Sequence, residues 1–454
     1  NNTYFDPNSL TTREKLALCN GADMWNLRAV PTASVQQSEK KTKTKTAITS
    51  IRLSDGPHGV RKPVNDLTLI EAHPATCFPS ACATACSWNV DLIERMGRAL
   101  TRECERLDVH VLLGPGVNIK RNPLGGRNHE YFSEDPFLTG MLARAYIAGV
   151  QHSGTVAACI KHFCANNQES ARMVVDAIVD ERTLRELYLP AFEMSICPWN
   201  VDGHTNSRSH THTQKHVPKL VMAAYNKVNG VYCCSNKHLL QSILRDEWNF
   251  SGVVVSDWGA VNDRVESLRA GMDLDMPGNL GCFEREVLES VSADESNGGD
   301  VRAAIDRSAG RIAGLIAELE LDQNRRVDVD IDIDGVDVDG VDRDGVDMDM
   351  DIGSDIDSHQ RQLFEKHDQL ARAIARESIV LLQNRENLLP LSRTQNVAVI
   401  GDFAKQSPRY QGMGSAHVTP TRVTSVYAAI NSFISGDPRS DQNDPENAST
   451  ESGN

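Results

Sequence analysis

Apolar runs that lack an in/out alternation recur along the first two thirds of the chain. Residues 109–114 (VHVLLG), 156–160 (VAACI), 220–224 (LVMAA) and 253–256 (VVVS) are such runs. A strand covered on both faces of a parallel sheet carries this signature. Amphipathic patterns over 91–107 and 181–194 fall between them and predict helices. Strand–helix alternation over residues 10–320 predicts an α/β fold, a (β/α)8-type, TIM-like barrel. Two polar stretches interrupt it: 38–46 (SEKKTKTKT), ahead of the first strand, and the His-rich 199–216, ahead of the run at 220.

A second unit is expected beyond the barrel, as the length of 454 residues allows. Residues 359–377 read as a helix, followed by the strand-like strings 378–382 (SIVLL) and 397–400 (VAVI), the latter closed by Gly401. This predicts an incomplete second α/β sandwich domain over 359–434, short of a full doubly wound sheet. From 435 the sequence turns to Ser, Asp, Asn, Glu and Gly and reads as a disordered tail.

Charge alters the picture mainly at the junction. Between Asp328 and Asp357 there are thirteen Asp and one Arg, which accounts for most of the net charge of −15. The string from Asp330 opens like a calcium-binding loop, but its twelfth position is Val341, where a bidentate Glu belongs. Residues 327–357 therefore read as an acidic, disordered linker. Nothing is basic enough to follow a phosphate backbone, which argues against nucleic acid. No apolar run approaches the ~18 residues of a membrane span.

The eleven cysteines are scattered through apolar segments with no paired C-x-x-C spacing, so they read as buried free thiols rather than a zinc site. The first thirty residues show no basic-then-apolar leader pattern. Together these favour a cytoplasmic setting over a secreted one. The histidines at 204, 210, 212 and 216 have no carboxylate or Cys to complete a coordination geometry, so no metal or cofactor is assigned.

Residues 243–260 (ILRDEWNFSGVVVSDWGA) carry the most chemistry. The run at 253–256 delivers Asp257 at a strand's C-terminal end, the face where barrels place catalytic groups. Trp258 beside it offers a flat apolar surface suited to a sugar ring. Taken alone, an Asp after a strand is more often a helix N-cap. The whole string, however, resembles the nucleophile signature of glycoside hydrolase family 3.

Four further strings resemble that family's sugar-binding loops, in the family's order. They are 53–61 (LSDGPHGVR), 114–135 (GPGVNIKRNPLGGRNHEYFSED), Lys161-His162-Phe163 with Asn167-Gln168-Glu169 and Arg172, and 222–230 (MAAYNKVNG). The similarity spans residues 10–320 and resumes over 370–430.

The resemblance implies a retaining exo-β-glycosidase acting on terminal non-reducing β-D-glucosyl residues, with β-xylosides as the neighbouring substrate class. Asp257 would be the nucleophile. Asp55 would accept from the hydroxyls farthest from the scissile bond, and Arg127, Lys161, His162 and Arg172 would grip the others by charge-assisted hydrogen bonds. Tyr225 would orient Asp257, and the surrounding cations would keep it ionised. Met222 and Trp258 complete the substrate-binding set, with Ser415 on the loop 412–415 approaching from the second domain. His129 and Glu130 brace their loop.

Retention also needs a second carboxyl ~5–5.5 Å from the nucleophile. In the family this is a Glu of the second domain, and none is recognisable here. Glu446 and Glu451 stand in the tail, outside any family context. One subfamily uses instead a His in a Lys-His-Phe-Pro-Gly context. Lys161-His162-Phe163-Cys164-Ala165 departs from it, which argues against N-acetylhexosaminidase activity. Two readings stand: a β-glucosidase, or a catalytically impaired fragment or sugar-binding module without its acid/base.

Overall fold

The computed structural model describes residues 9–31, 47–66, 71–197, 216–278, 281–294, 299–323, 358–392 and 394–435. The stretch 38–46, the His-rich insertion except His216, the acidic linker with its calcium-like string, and the tail from 436 lie outside them.

Five short strands form one parallel sheet: β1 (Leu53–Ser54), β2 (Val111–Leu112), β3 (Ala157–Phe163), β4 (Leu220–Ala223) and β5 (Val253–Ser256). Their spatial order follows the chain. Single bridges close the ring. Leu274 pairs in parallel with Val255, and Asp275 with Asn20. Gly21 pairs antiparallel with Leu27, and Asn26 antiparallel with Arg52 beside β1. The described residues thus supply eight staves of a TIM-like barrel, and the stave at 26–27 runs against both neighbours. A parallel crossover takes a dozen or more residues. The few residues between Gly21 and Leu27 cannot make one, so the chain turns straight back.

The missing alternation in the apolar runs now has a cause. Leu53, Val111, Ala157, Cys159, Leu220, Met222, Val253 and Val255 share one cluster inside the barrel, closed by Leu274. Their neighbours Leu112, Ala158, Ile160, Val221, Ala223 and Val254 belong to the cluster under the helices. Both faces of each strand are dry. β3 continues past the expected end at 160 to Phe163, so Lys161 and His162 lie on the strand itself. The helix expected over 181–194 is broken at Leu189, and a new helix, Pro190–Ile196, begins at the proline.

Helix Val90–Arg106 is capped by Asn89, and helix Pro136–Val150 by Asp135 with Pro at its start. They cross at Gly97 and Gly149, where a Cβ on either would overlap the other helix's backbone. On the other side of the barrel, fully buried Asp273 gathers four donors. One oxygen accepts from Arg245 Nη2 at 2.7 Å and Val254 N at 2.8 Å; the other accepts from Ser308 Oγ at 2.9 Å and Arg311 Nη1 at 2.8 Å. One carboxylate so ties helix His238–Glu247, β5 and helix Asp300–Gln323 together. All eleven cysteines are unbridged, and six of them are buried.

Helix Ser358–Ser378 docks on the barrel through Leu370, Ile374 and fully buried His367, whose Nδ1 meets Glu103 Oε1 at 2.7 Å. The strands expected at 378–382 and 397–400 do not form among the described residues. Leu382 is 92% exposed and Ile400 91%. An extended segment becomes a strand only with a ladder partner for its N–H and C=O groups, and the described residues put none beside these. The second unit is partial. No helix among the described residues is long and apolar enough to cross a membrane.

Removing Asp273 strands Arg245 and Arg311 without their counter-charge. Asp273→Ala is expected to cost about 3–5 kcal/mol of stability, read as a fall in the urea midpoint of the barrel's circular dichroism. An unchanged midpoint would show that the cluster contributes nothing.

Candidate active site

The C-terminal ends of the strands converge on a buried ring of charge. Asp257 follows β5 directly and is 6% exposed. Its Oδ1 accepts the Trp258 N–H at 2.8 Å, whereas Oδ2 has no hydrogen-bond partner. His162 Nε2 lies 3.6 Å from Oδ2. An oxygen held in place by its twin, yet free of donors, keeps a lone pair for an incoming electrophile.

Lys161, from β3, is 1% exposed and stands between two carboxylates, with Nζ 3.6 Å from Asp55 Oδ1 and 3.8 Å from Glu130 Oε1. Both separations exceed hydrogen-bond length, which leaves bonding capacity for a polar ligand. Arg127 meets both ring nitrogens of His162 and reaches Glu130 at 3.7 Å, Glu169 at 3.5 Å and Ser415 Oγ at 3.5 Å. Tyr131 OH adds a 3.0 Å contact to His162 Nδ1. The Asn118 amide brackets the His162 backbone, accepting its N–H at 2.9 Å and donating to its C=O at 3.0 Å. Arg172 pairs with Glu169 at 2.9 Å and lies over the Tyr225 ring, 4.5 Å from its centroid.

Burial pushes the Asp257 carboxyl above its ordinary range, and the Arg127 charge, the Trp258 N–H, the Lys161 charge and the Tyr225 hydroxyl oppose that only in part. Asp55 is likewise raised by burial, against the pull of Lys161 and Arg61. The expected cations and the Tyr225 hydroxyl do favour the carboxylate, and burial, which sequence reasoning did not weigh, is the larger influence and acts against them. At Glu130 burial is outweighed by Arg127 and Lys161, and its carboxyl is lowered. Burial also holds the histidines neutral. His162 falls well below the usual imidazole range, helped by Arg127, and His58 falls to about 4.

The expected residues assemble. The Tyr225 hydroxyl donates to Trp258 O at 3.0 Å and also stands against Asp257, close enough to lower its pKa. Met222 lies in the barrel interior with Leu53, Val111, Ala157 and Val255, and serves as the floor. His129 does brace its loop: its carbonyl accepts the Cys82 N–H, and its ring packs so tightly on Gly412 that a Cβ there would overlap it.

Besides His58, Asn118 and Tyr131, four residues were not singled out from sequence. Arg61 sits across a bridge from Asp55, within a string already quoted. Met24 O accepts the Trp258 indole N–H at 2.7 Å, and Trp25 lies 5.8 Å from the Trp258 ring, centroid to centroid. A Trp in a polar stretch was the only signal for that pair. The fourth is Gln411, on the strap that carries Ser415.

Residues 21–315 match the Glycosyl hydrolase family 3 N terminal domain, and residues 379–452 the corresponding C-terminal domain. A thermostable beta-glucosidase B of Acetivibrio thermocellus is 42% identical over 424 residues, covering 93% of this chain and 47% of that protein. An exo-alpha-(1->6)-L-arabinopyranosidase of Bifidobacterium breve is 39% identical over 440 residues, covering 93% of this chain and 48% of its own length. Beta-glucosidase 3B from Thermotoga neapolitana, solved with alpha-D-glucose, superposes with a TM-score of 0.71 at 33% identity, over 95% of this chain and 53% of that one. The chain spans about half the length of the curated relatives it matches.

A raised pKa means that the fold favours neutral Asp257. That contribution to stability is complete below the unfolded pKa and is lost as pH rises through the folded one. Asp257→Asn is therefore expected to melt about 1–3 °C above wild type at pH 7, with the gap closing as pH falls into the ordinary carboxylate range. A lower melting temperature for the variant at pH 7 would contradict the sign.

Proposed function

The chain belongs to glycosyl hydrolase family 3, and from that premise we propose that it cleaves terminal non-reducing β-D-glucosyl residues with retention, through a glycosyl intermediate on Asp257. The observation that carries the reading is the partnerless Asp257 Oδ2 at the centre of the charged ring. The carboxylate attacks the anomeric carbon as the aglycone oxygen departs with the bonding pair, and water then releases the sugar. Lys161, Arg127, Arg172 and Asp55 hold the hydroxyls, and Trp258, fixed by Met24 and Trp25, underlies the ring.

Retention also calls for an acid/base. Among the described residues the other carboxylates of the site all face cations, Asp55 and Glu130 at Lys161 and Glu169 at Arg172 and Arg127, although Glu130 Oε1, like Asp257 Oδ2, has no hydrogen-bond partner. This favours a second reading for the polypeptide in hand, in which it binds sugar and glycosylates Asp257 without efficient turnover. A missing general acid costs about 10²–10⁴ in rate, least for leaving groups that need no proton. Pentopyranosides are the competing substrates. β-Xylosides share the glucoside stereochemistry without the hydroxymethyl group, and two relatives are named for an arabinopyranoside activity.

The test is mass spectrometry after incubation with 2,4-dinitrophenyl 2-deoxy-2-fluoro-β-glucoside, whose leaving group needs no acid. One added fluoroglucosyl mass on the Asp257 peptide is expected, and none in Asp257→Asn. The rate should fall along an acid limb that lies above the ordinary aspartate range, as the raised Asp257 pKa requires. A folded wild-type chain that takes no label removes Asp257 as nucleophile. Faster labelling by the corresponding fluoroxyloside would reassign the substrate class.

A further inference from the structure

The segment after helix Ser358–Ser378 divides sharply in its contacts. Residues 379–410 lie mostly exposed, whereas Ala416 and Val418 are fully buried. Downstream of Ser415 the strap is sewn to the barrel: Ala75 N donates to Thr419 O at 2.9 Å and Thr421 N to Ala75 O at 3.0 Å. Val418 packs so closely on Gly59 that a Cβ there would overlap its methyl groups. Upstream, among the described residues, one side chain makes both bonds at the base of the loop that carries Ser415. The Gln411 amide donates from Nε2 to Val418 O at 2.8 Å and accepts the Val418 N–H on Oε1, also at 2.8 Å.

We propose that Gln411 is a positioning residue, a clasp that shuts residues 412–417 into a closed loop and so holds Ser415 against Arg127. The role rests on the reading of the pocket given above. The amide reproduces what a neighbouring strand would offer, one donor and one acceptor facing a single residue's backbone. The barrel uses the same device at its centre, where Asn118 brackets His162. Inside the loop the local order is a single turn at Gly414–Ala416, with His417 N donating to Gly414 O at 3.1 Å. Gly414 takes φ +79°, a conformation that glycine adopts without strain, and Met413 is exposed. Such a loop has no regular ladder to fix its shape, so the closure at its base does.

The consequence reaches the chemistry through Arg127. Ser415 Oγ is the contact of Nη2, while Nη1 is held by His162 and Glu130. Opening the clasp frees one arm of a guanidinium that faces the sugar, which weakens binding before it touches Asp257.

Gln411→Leu and Gln411→Glu in the full chain separate this role from general stability. Hydrogen exchange should quicken at the 412–417 amides in Gln411→Leu and not in the strands of the barrel. The saturation constant for fluoroglucoside labelling should rise about tenfold, the scale of losing a hydrogen-bond pair, while the limiting labelling rate stays within about twofold. Gln411→Glu supplies the sharper readout. Its carboxylate can accept from Val418 N–H but repels Val418 O, whereas its protonated acid both accepts and donates. The groups facing it are the Cys77 thiol, 3.7 Å from Oε1, and Tyr410, and both stay neutral across the acid range. The ratio of Gln411→Glu to wild-type labelling efficiency should therefore rise as pH falls from 7 toward the carboxylate range. Equal exchange in wild type and Gln411→Leu overturns the clasp. A flat pH ratio, or an unchanged saturation constant in a variant whose loop exchanges faster, overturns the positioning role. A wild-type chain that takes no label counts against the Asp257 reading and leaves the loop nothing to position, while the exchange experiment still decides the clasp.

Discussion

Charge neutrality without water is the constraint on which the site depends. Asp55, Glu130, Glu169 and Asp257 meet Arg61, Arg127, Lys161 and Arg172 in a space that burial has largely dried. An unpaired charge there would be expensive, so opposite charges arrive together from different strand ends. The histidines, held neutral, fill space and bond without upsetting the balance. Balance alone would give an inert salt cluster. The loose Lys161 contacts, beyond hydrogen-bond length, and the idle oxygen of Asp257 keep it open to a ligand.

Rigidity is supplied from outside the ring. Glu103 accepts from His367 on the post-linker helix and from the Thr76 N–H, and the neighbouring Ala75 pairs with the strap. The path from that helix to Ser415 thus runs through one buried carboxylate, one loop and one amide. The partial second unit is joined to the barrel at the place where its loop meets the sugar-facing residues.

What could be read from sequence follows the range of the forces involved. β5 was legible to the residue because its apolar run is continuous and sharply ended. β3 was read short because Lys161 and His162 interrupt the apolar pattern while remaining in the strand. The reversed stave at 26–27 lies in a polar, turn-like stretch with no periodicity to betray it. The strings at 378–382 and 397–400 were over-read, since apolarity states a preference for a sheet that only a partner can satisfy. Likewise Asp257, Lys161 and Arg127 announce themselves in long strings, whereas Gln411 matters only through what it meets seven residues on. Around Asp257 the sequence displays the cations and Tyr225 that favour a carboxylate but not the desolvation that opposes them, because burial is absent from any linear pattern.

The bare apolar strings around Leu382 and Ile400 set the handling properties of the polypeptide. The exposed side chains of Ile379, Val380, Leu381 and Leu382, on backbone that from Val380 on has no ladder partner among the described residues, offer a template for like segments of neighbouring molecules. In concentrated solution copies of the chain compete to become one another's missing sheet. These few residues, rather than the barrel, are where such pairing would begin.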